Sequence, residues 1–106
     1  MVGFTFSVQA QQPAATANEL YTEGVQLYRN GHYAAAEQTL EQFLTLPAVD
    51  EMGRTRAIEA EYLTVCIAYH LKEVNRLEQL QSFLAKYPDT PHANRLYARS
   101  QTELRP

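Results

Sequence analysis

Apolar residues recur at helical spacing along most of the chain. Leu20, Gly24, Leu27 and Tyr28 stand at i, i+4, i+7 and i+8, one face of a helix. Thr16-Ala-Asn-Glu19 ahead of them has the form of a capping box and predicts the start of that helix. Asn30-Gly31 ends it, because glycine takes the left-handed conformation that follows a helix end. A second helix, capped by His32, turns Tyr33, Ala36, Leu40, Phe43 and Leu44 inward and stops before Pro47. A third is predicted from about Arg54 to Leu71. It is apolar on two sides, with Ile58, Tyr62, Val65 and Tyr69 on one and Leu63, Ile67 and Leu71 on the other. A helix apolar nearly all round lies between neighbours. Asn75-Arg-Leu-Glu78 reads as a cap for a fourth helix, with Leu77, Leu80, Phe83, Leu84 and Tyr87 inward and Pro88 at its end. Thr90-Pro91 opens a fifth, a hydroxyl cap followed by proline at the first helical position, and Ala93, Leu96, Tyr97 and Leu104 form its buried side. The pattern predicts five antiparallel helices and no strand after residue 16.

The first ten residues, MVGFTFSVQA, break this pattern. They are apolar, uncharged and rich in β-formers, and Val8-Gln9-Ala10 is a small-x-small pattern of the kind a signal peptidase cuts after. Residues 1–10 therefore read as the last part of a longer signal peptide, 11–16 as a flexible tail and 17–106 as the helical domain. That reading implies an exported, periplasmic protein. The alternative is a floppy or edge-pairing N-terminal segment. No Cys stands at the cut site, which disfavours a lipid anchor.

Composition narrows the class. A chain of 106 residues is one domain with a modest core. The formal net charge of −3 carries no nucleic-acid footprint, and no apolar run is long enough to enter a bilayer as a span. Catalytic chemistry finds little support. His32, His70 and His92 lie in three different segments, with no metal-ligand spacing. Glu37 and Glu41 share a helix face, as solvated carboxylates commonly do. There is no Gly-rich phosphate loop, and Ser7, Ser82 and Ser100 lack a nucleophile elbow. Cys66 has His70 one turn on but no third orienting group, so it reads as a small buried hydrophobe. The expectation is a non-catalytic protein with no cofactor and no metal.

An internal repeat organises the rest. LYTEGVQLYRNGHYAAAEQTLEQFLTLP and EYLTVCIAYHLKEVNRLEQLQSFLAKYP align as two helical hairpins, each closing on Phe-Leu and then Pro. Leu20, Gly24, Leu27, Tyr28, Gly31, Tyr33, Ala36, Leu40 and Phe43 give the first copy its resemblance to a tetratricopeptide repeat. FLAKYPDTPHANRLY is similar to the link between repeats in exported bacterial members, among them outer-membrane assembly lipoproteins and periplasmic cell-division coordinators. The second copy departs from the family pattern: Val65 replaces the packing glycine, Glu73 or Lys72 the turn glycine, and Leu77 or Glu78 the packing alanine. The resemblance implies an all-α fold of antiparallel hairpins stacked as a short right-handed α-solenoid, five helices or about two and a half repeats.

Alignment of the first helices of each hairpin sets Tyr21, Tyr62 and Tyr97 at one equivalent position and Tyr28 and Tyr69 at another. These rings either line a concave groove or pack as core; helical spacing does not separate the two. The resemblance places ligand contacts at such positions, with Asn18, Val25, Arg29, Glu59, Cys66 and His70 beside them. Tyrosine, with a broad apolar face and a polar tip, suits the grip of an extended or helical peptide. An acidic first hairpin (Glu19, Glu23, Glu37, Glu41, Asp50) and a basic end (Lys86, Arg95, Arg99, Arg105) allow weak head-to-tail self-association, or are simply two solvated faces. The expected function is a protein-binding scaffold, with a structural oligomerisation module or the front part of a larger envelope protein as the alternative.

Overall fold

The computed structural model describes residues 13–104. Among the described residues there are five helices and no strand: α1 Pro13–Arg29, α2 Tyr33–Leu44, α3 Glu51–His70, α4 Arg76–Lys86 and α5 Pro91–Leu104. Residues 1–12, which include the expected signal-peptide remnant, lie outside the described residues.

Several helix starts differ from expectation. The helix expected after Thr16 begins at Pro13, so Thr16 is inside α1 and part of the expected tail is helical. Proline is pre-set for the first helical position, and Ala14 and Ala15 are the strongest helix formers. His32 precedes α2 but makes no side-chain cap; an imidazole lacks the short oxygen acceptor that suits this position. α3 starts at Glu51, earlier than Arg54, because Asp50 caps it: Gly53 N–H donates to Asp50 Oδ1 at 2.7 Å. Asn75 precedes α4 without capping it; its Oδ1 accepts from Gln79 Nε2 at 3.0 Å instead. Thr90 behaves as expected, with Ala93 N–H donating to its Oγ1 at 3.1 Å and Pro91 opening α5.

The two hairpin turns are built alike. After α1, Gly31 N–H donates to Tyr28 O at 3.0 Å and His32 N–H to Leu27 O at 2.9 Å, with Gly31 at φ +82°. After α3, Lys72 N–H donates to Tyr69 O at 3.2 Å and Glu73 N–H to Ala68 O at 2.9 Å, with Lys72 at φ 56°. Both are Schellman closures. The residue in the turn glycine's place is Lys72, a side-chain-bearing residue in the left-handed region.

α3 is the shared element. Ala60, Leu63 and Ile67 pack with Ala36, Leu40 and Phe43 of α2, against Leu20, Val25 and Leu27 of α1. Val65, Cys66 and Tyr69 pack with Leu80 and Phe83 of α4 and Ala93 and Leu96 of α5. This double burial matches the two apolar sides read from sequence. Three residues expected inside are not: Leu71 and Leu77 are exposed, and Tyr97 is 57% exposed. Leu71 stands at the cap of α3, past its last helical residue, and Leu77 lies in the first turn of α4, ahead of the buried Leu80 and Phe83. On α5, Ala93 and Leu96 take up the core contact and Tyr97 turns outward.

Helix–helix distance in the first pair follows from Gly24. A Cβ built there would lie 2.5 Å from Leu40 Cδ2 and 2.7 Å from Leu40 Cγ, so α1 and α2 touch through a missing side chain. In the second pair Val65 replaces that glycine. The position four residues before Leu80, as Ala36 is four before Leu40, is Arg76, rather than the expected Leu77 or Glu78. α3 and α4 accordingly share a less extensive contact than α1 and α2.

Candidate partner-binding face

Side-chain contacts run from α1 to α3 and from α3 to α5 along one strip of the molecule. Asn18, exposed on α1, accepts from Arg56 Nη1 of α3 at 2.8 Å. The Arg56 guanidinium also lies over the Tyr21 ring, 5.0 Å from its centroid. Tyr21 is half-buried, with Phe43 behind it at 5.4 Å between centroids. Burial, and then the charge of Glu59, push the Tyr21 hydroxyl pKa up. Val25 is half-buried against the first core cluster and Arg29 is exposed at the end of α1.

A second group sits farther along the same two helices. Tyr28 is half-buried with its ring against Tyr33 at 5.6 Å and against His70 at 6.0 Å. His70 stacks nearly parallel on Tyr33, 4.2 Å away. Burial, and then the Arg99 charge, hold the His70 imidazole below its ordinary value. The Cys66 thiol lies near the hydroxyls of Tyr28 and Tyr62, which act to lower its pKa. The Tyr28 hydroxyl is pushed up to about 12, first by burial and then by Cys66. Burial likewise raises the Cys66 thiol, despite the two hydroxyls and Arg99. A buried thiol shifted this way lacks the lowered pKa that a reactive thiolate requires.

The α3–α5 side completes the strip. Glu59 Oε1 and His92 Nε2 are 2.6 Å apart, and the Tyr62 ring meets the His92 ring edge-on at 4.9 Å. The Arg95 guanidinium, near the Tyr62 hydroxyl, opposes the upward shift that burial gives it. Arg99 lies over the Tyr69 ring at 5.4 Å and Arg76 approaches the same ring at 5.8 Å.

The expected site residues therefore divide. Asn18 and Tyr21 are joined by Arg56, Glu59 acts on Tyr21 by its charge and pairs with His92, and Tyr28, Tyr62, Cys66 and His70 form a second set. Tyr69 is only 7% exposed, a core ring covered by two guanidiniums. Tyr97 is exposed on α5. The residues that sequence reading did not single out for the face are Arg56, Arg95, Arg99 and His92. Arg56 sits one turn before Glu59 and was within reach of a helical-face argument. For His92 and the two α5 arginines the chain carries no signal, since their roles depend on how α5 crosses α3.

Among the described residues no group of three or more His, Cys, Asp or Glu is placed to hold a metal ion, and no helix is long and apolar enough to cross a membrane. Comparison with protein-family models, with curated proteins and with solved structures finds no match for this chain.

Proposed function

We propose that the chain is an exported tetratricopeptide-type scaffold of stacked hairpins, and that it binds a peptide or protein segment along the α1–α3 strip. The observation that carries this reading is the placement of Tyr21, Tyr28 and Tyr62. Each ring has one side fixed by core contacts and remains partly open, and each lies next to a charged or polar neighbour from the adjacent helix. Rings held this way present apolar area at little further entropic cost, as hot-spot aromatics do. The similarity of the two hairpin turns supports a repeat, and the repeat supports a stacked module. Export rests on the pattern at residues 1–10 alone.

Tyr21→Ala and Tyr62→Ala test the binding role. A partner retained from envelope extract by the wild-type chain should be lost by both variants, weakened by about 2 kcal/mol or more. Urea midpoints close to wild type should accompany that loss. Retained binding, or a loss of fold stability of about 3–5 kcal/mol at both positions, makes these rings structural and removes the face.

A further inference from the structure

At the end of the strip, with Asn18 and Arg56 in its wall, the α2–α3 connection borders a hollow of about 420 Å³. No tyrosine lines it. Its walls are apolar, chiefly Phe43, Leu44, Leu46, Pro47 and Ala57. A volume of this size takes a compact apolar group. On its rim stand the two most exposed apolar side chains of that end of the molecule, Val49 at 83% and Met52 at 61%. Exposed apolar surface next to an apolar recess marks an interaction site.

The charges beside it are of both signs. Glu51 and Arg54 are exposed in the first turn of α3, and neither side chain has an ion-pair or hydrogen-bond partner among the described residues. Asp50, by contrast, is occupied by the Gly53 N–H at 2.7 Å. A surface for a foreign partner needs only the recess. A surface that pairs with itself about a two-fold axis needs both a projection and its recess, and both a cation and an anion, in one patch. This patch has all four.

We infer that the α2–α3 edge is the interface of a two-fold dimer of this chain. Val49 and Met52 of each copy seat in the hollow of the other, and Glu51 of one copy faces Arg54 of its partner. The dimer leaves the tyrosines of each strip outside the hollow but covers its border at Asn18 and Arg56.

The test is sedimentation equilibrium of the full chain across micromolar to millimolar concentrations. The expected result is reversible dimerisation, to twice the monomer mass of 12.1 kDa. Met52→Lys should raise the dimer dissociation constant about tenfold or more while leaving the circular-dichroism melt of the diluted monomer unchanged. Glu51→Lys and Arg54→Glu should each weaken the dimer, and the two together should restore it, because the exchange regenerates the cross-axis pair. A monomer mass throughout the range overturns the inference. So does a dimer indifferent to Met52→Lys, or a double variant no tighter than the single ones. A chain that dimerises only after removal of residues 1–10 also overturns it, and assigns the hollow to that segment.

Discussion

Gly24 shows how one missing side chain fixes a helix pair. Leu40, which a Cβ at Gly24 would overlap, is fully buried and has nowhere to move. Gly24→Leu should therefore cost roughly 1–3 kcal/mol as overpacking; an unchanged urea midpoint would mean that α1 and α2 are not in this register. Glu37 is a second residue with a readable consequence. Its carboxyl is pushed up to about 7 by burial first, then by the neighbouring Glu73 carboxyl and the charge of Glu41. A carboxyl raised in the folded state above its ordinary 4.5 binds more protons folded than unfolded between those two values. Glu37 therefore contributes a loss of stability as pH rises from about 4.5 to about 7, complete above that window. Glu37→Gln should remove this decline and melt higher than wild type at pH 8. Parallel melting curves for the two proteins from pH 4 to 8 would show that Glu37 titrates normally.

Among elements, the second hairpin differs from the first at its turn as well as at its packing positions. Lys72 occupies the left-handed position that Gly31 fills in the first turn, with the same pair of backbone bonds. A Cβ in that conformation is penalised by contact with the following carbonyl, whereas glycine is not. Lys72→Gly should raise stability by about 0.5–1 kcal/mol, the left-handed penalty less glycine's extra entropy cost; a destabilised variant would mean that Lys72 makes compensating contacts. The helical faces were largely readable from the chain. Ala36, Leu40 and Phe43, and likewise Leu80 and Phe83, repeat with the helix period because burial does. Helix starts were less readable. The Asp50 cap depends on an oxygen reaching Gly53 N–H, and the α1 start depends on Pro13 and two alanines outweighing a capping box.

For the whole molecule, the sequence signals and the contacts converge on five helices with α3 at the centre, between α1 and α2 on one side and α4 and α5 on the other. Period alone placed the tyrosines at equivalent positions, yet the structure treats them differently: Tyr69 enters the core, Tyr97 stays outside, and Tyr21, Tyr28 and Tyr62 lie between. That division depends on what each neighbouring helix contributes. Arg56 reaches Tyr21 across the α1–α3 gap, and Arg76 and Arg99 close over Tyr69 from α4 and α5. Distances between helices are not written in the spacing of residues along one helix. The central claim, recognition of a peptide by the α1–α3 strip, is tested most directly by amide chemical-shift mapping. The labelled chain would be titrated with peptides selected against it from a random library. Binding as described should shift amides around Tyr21, Tyr28, Arg56 and Tyr62. Shifts confined to the outer faces of α2 and α4, or no selected peptide that binds the folded chain, would contradict it.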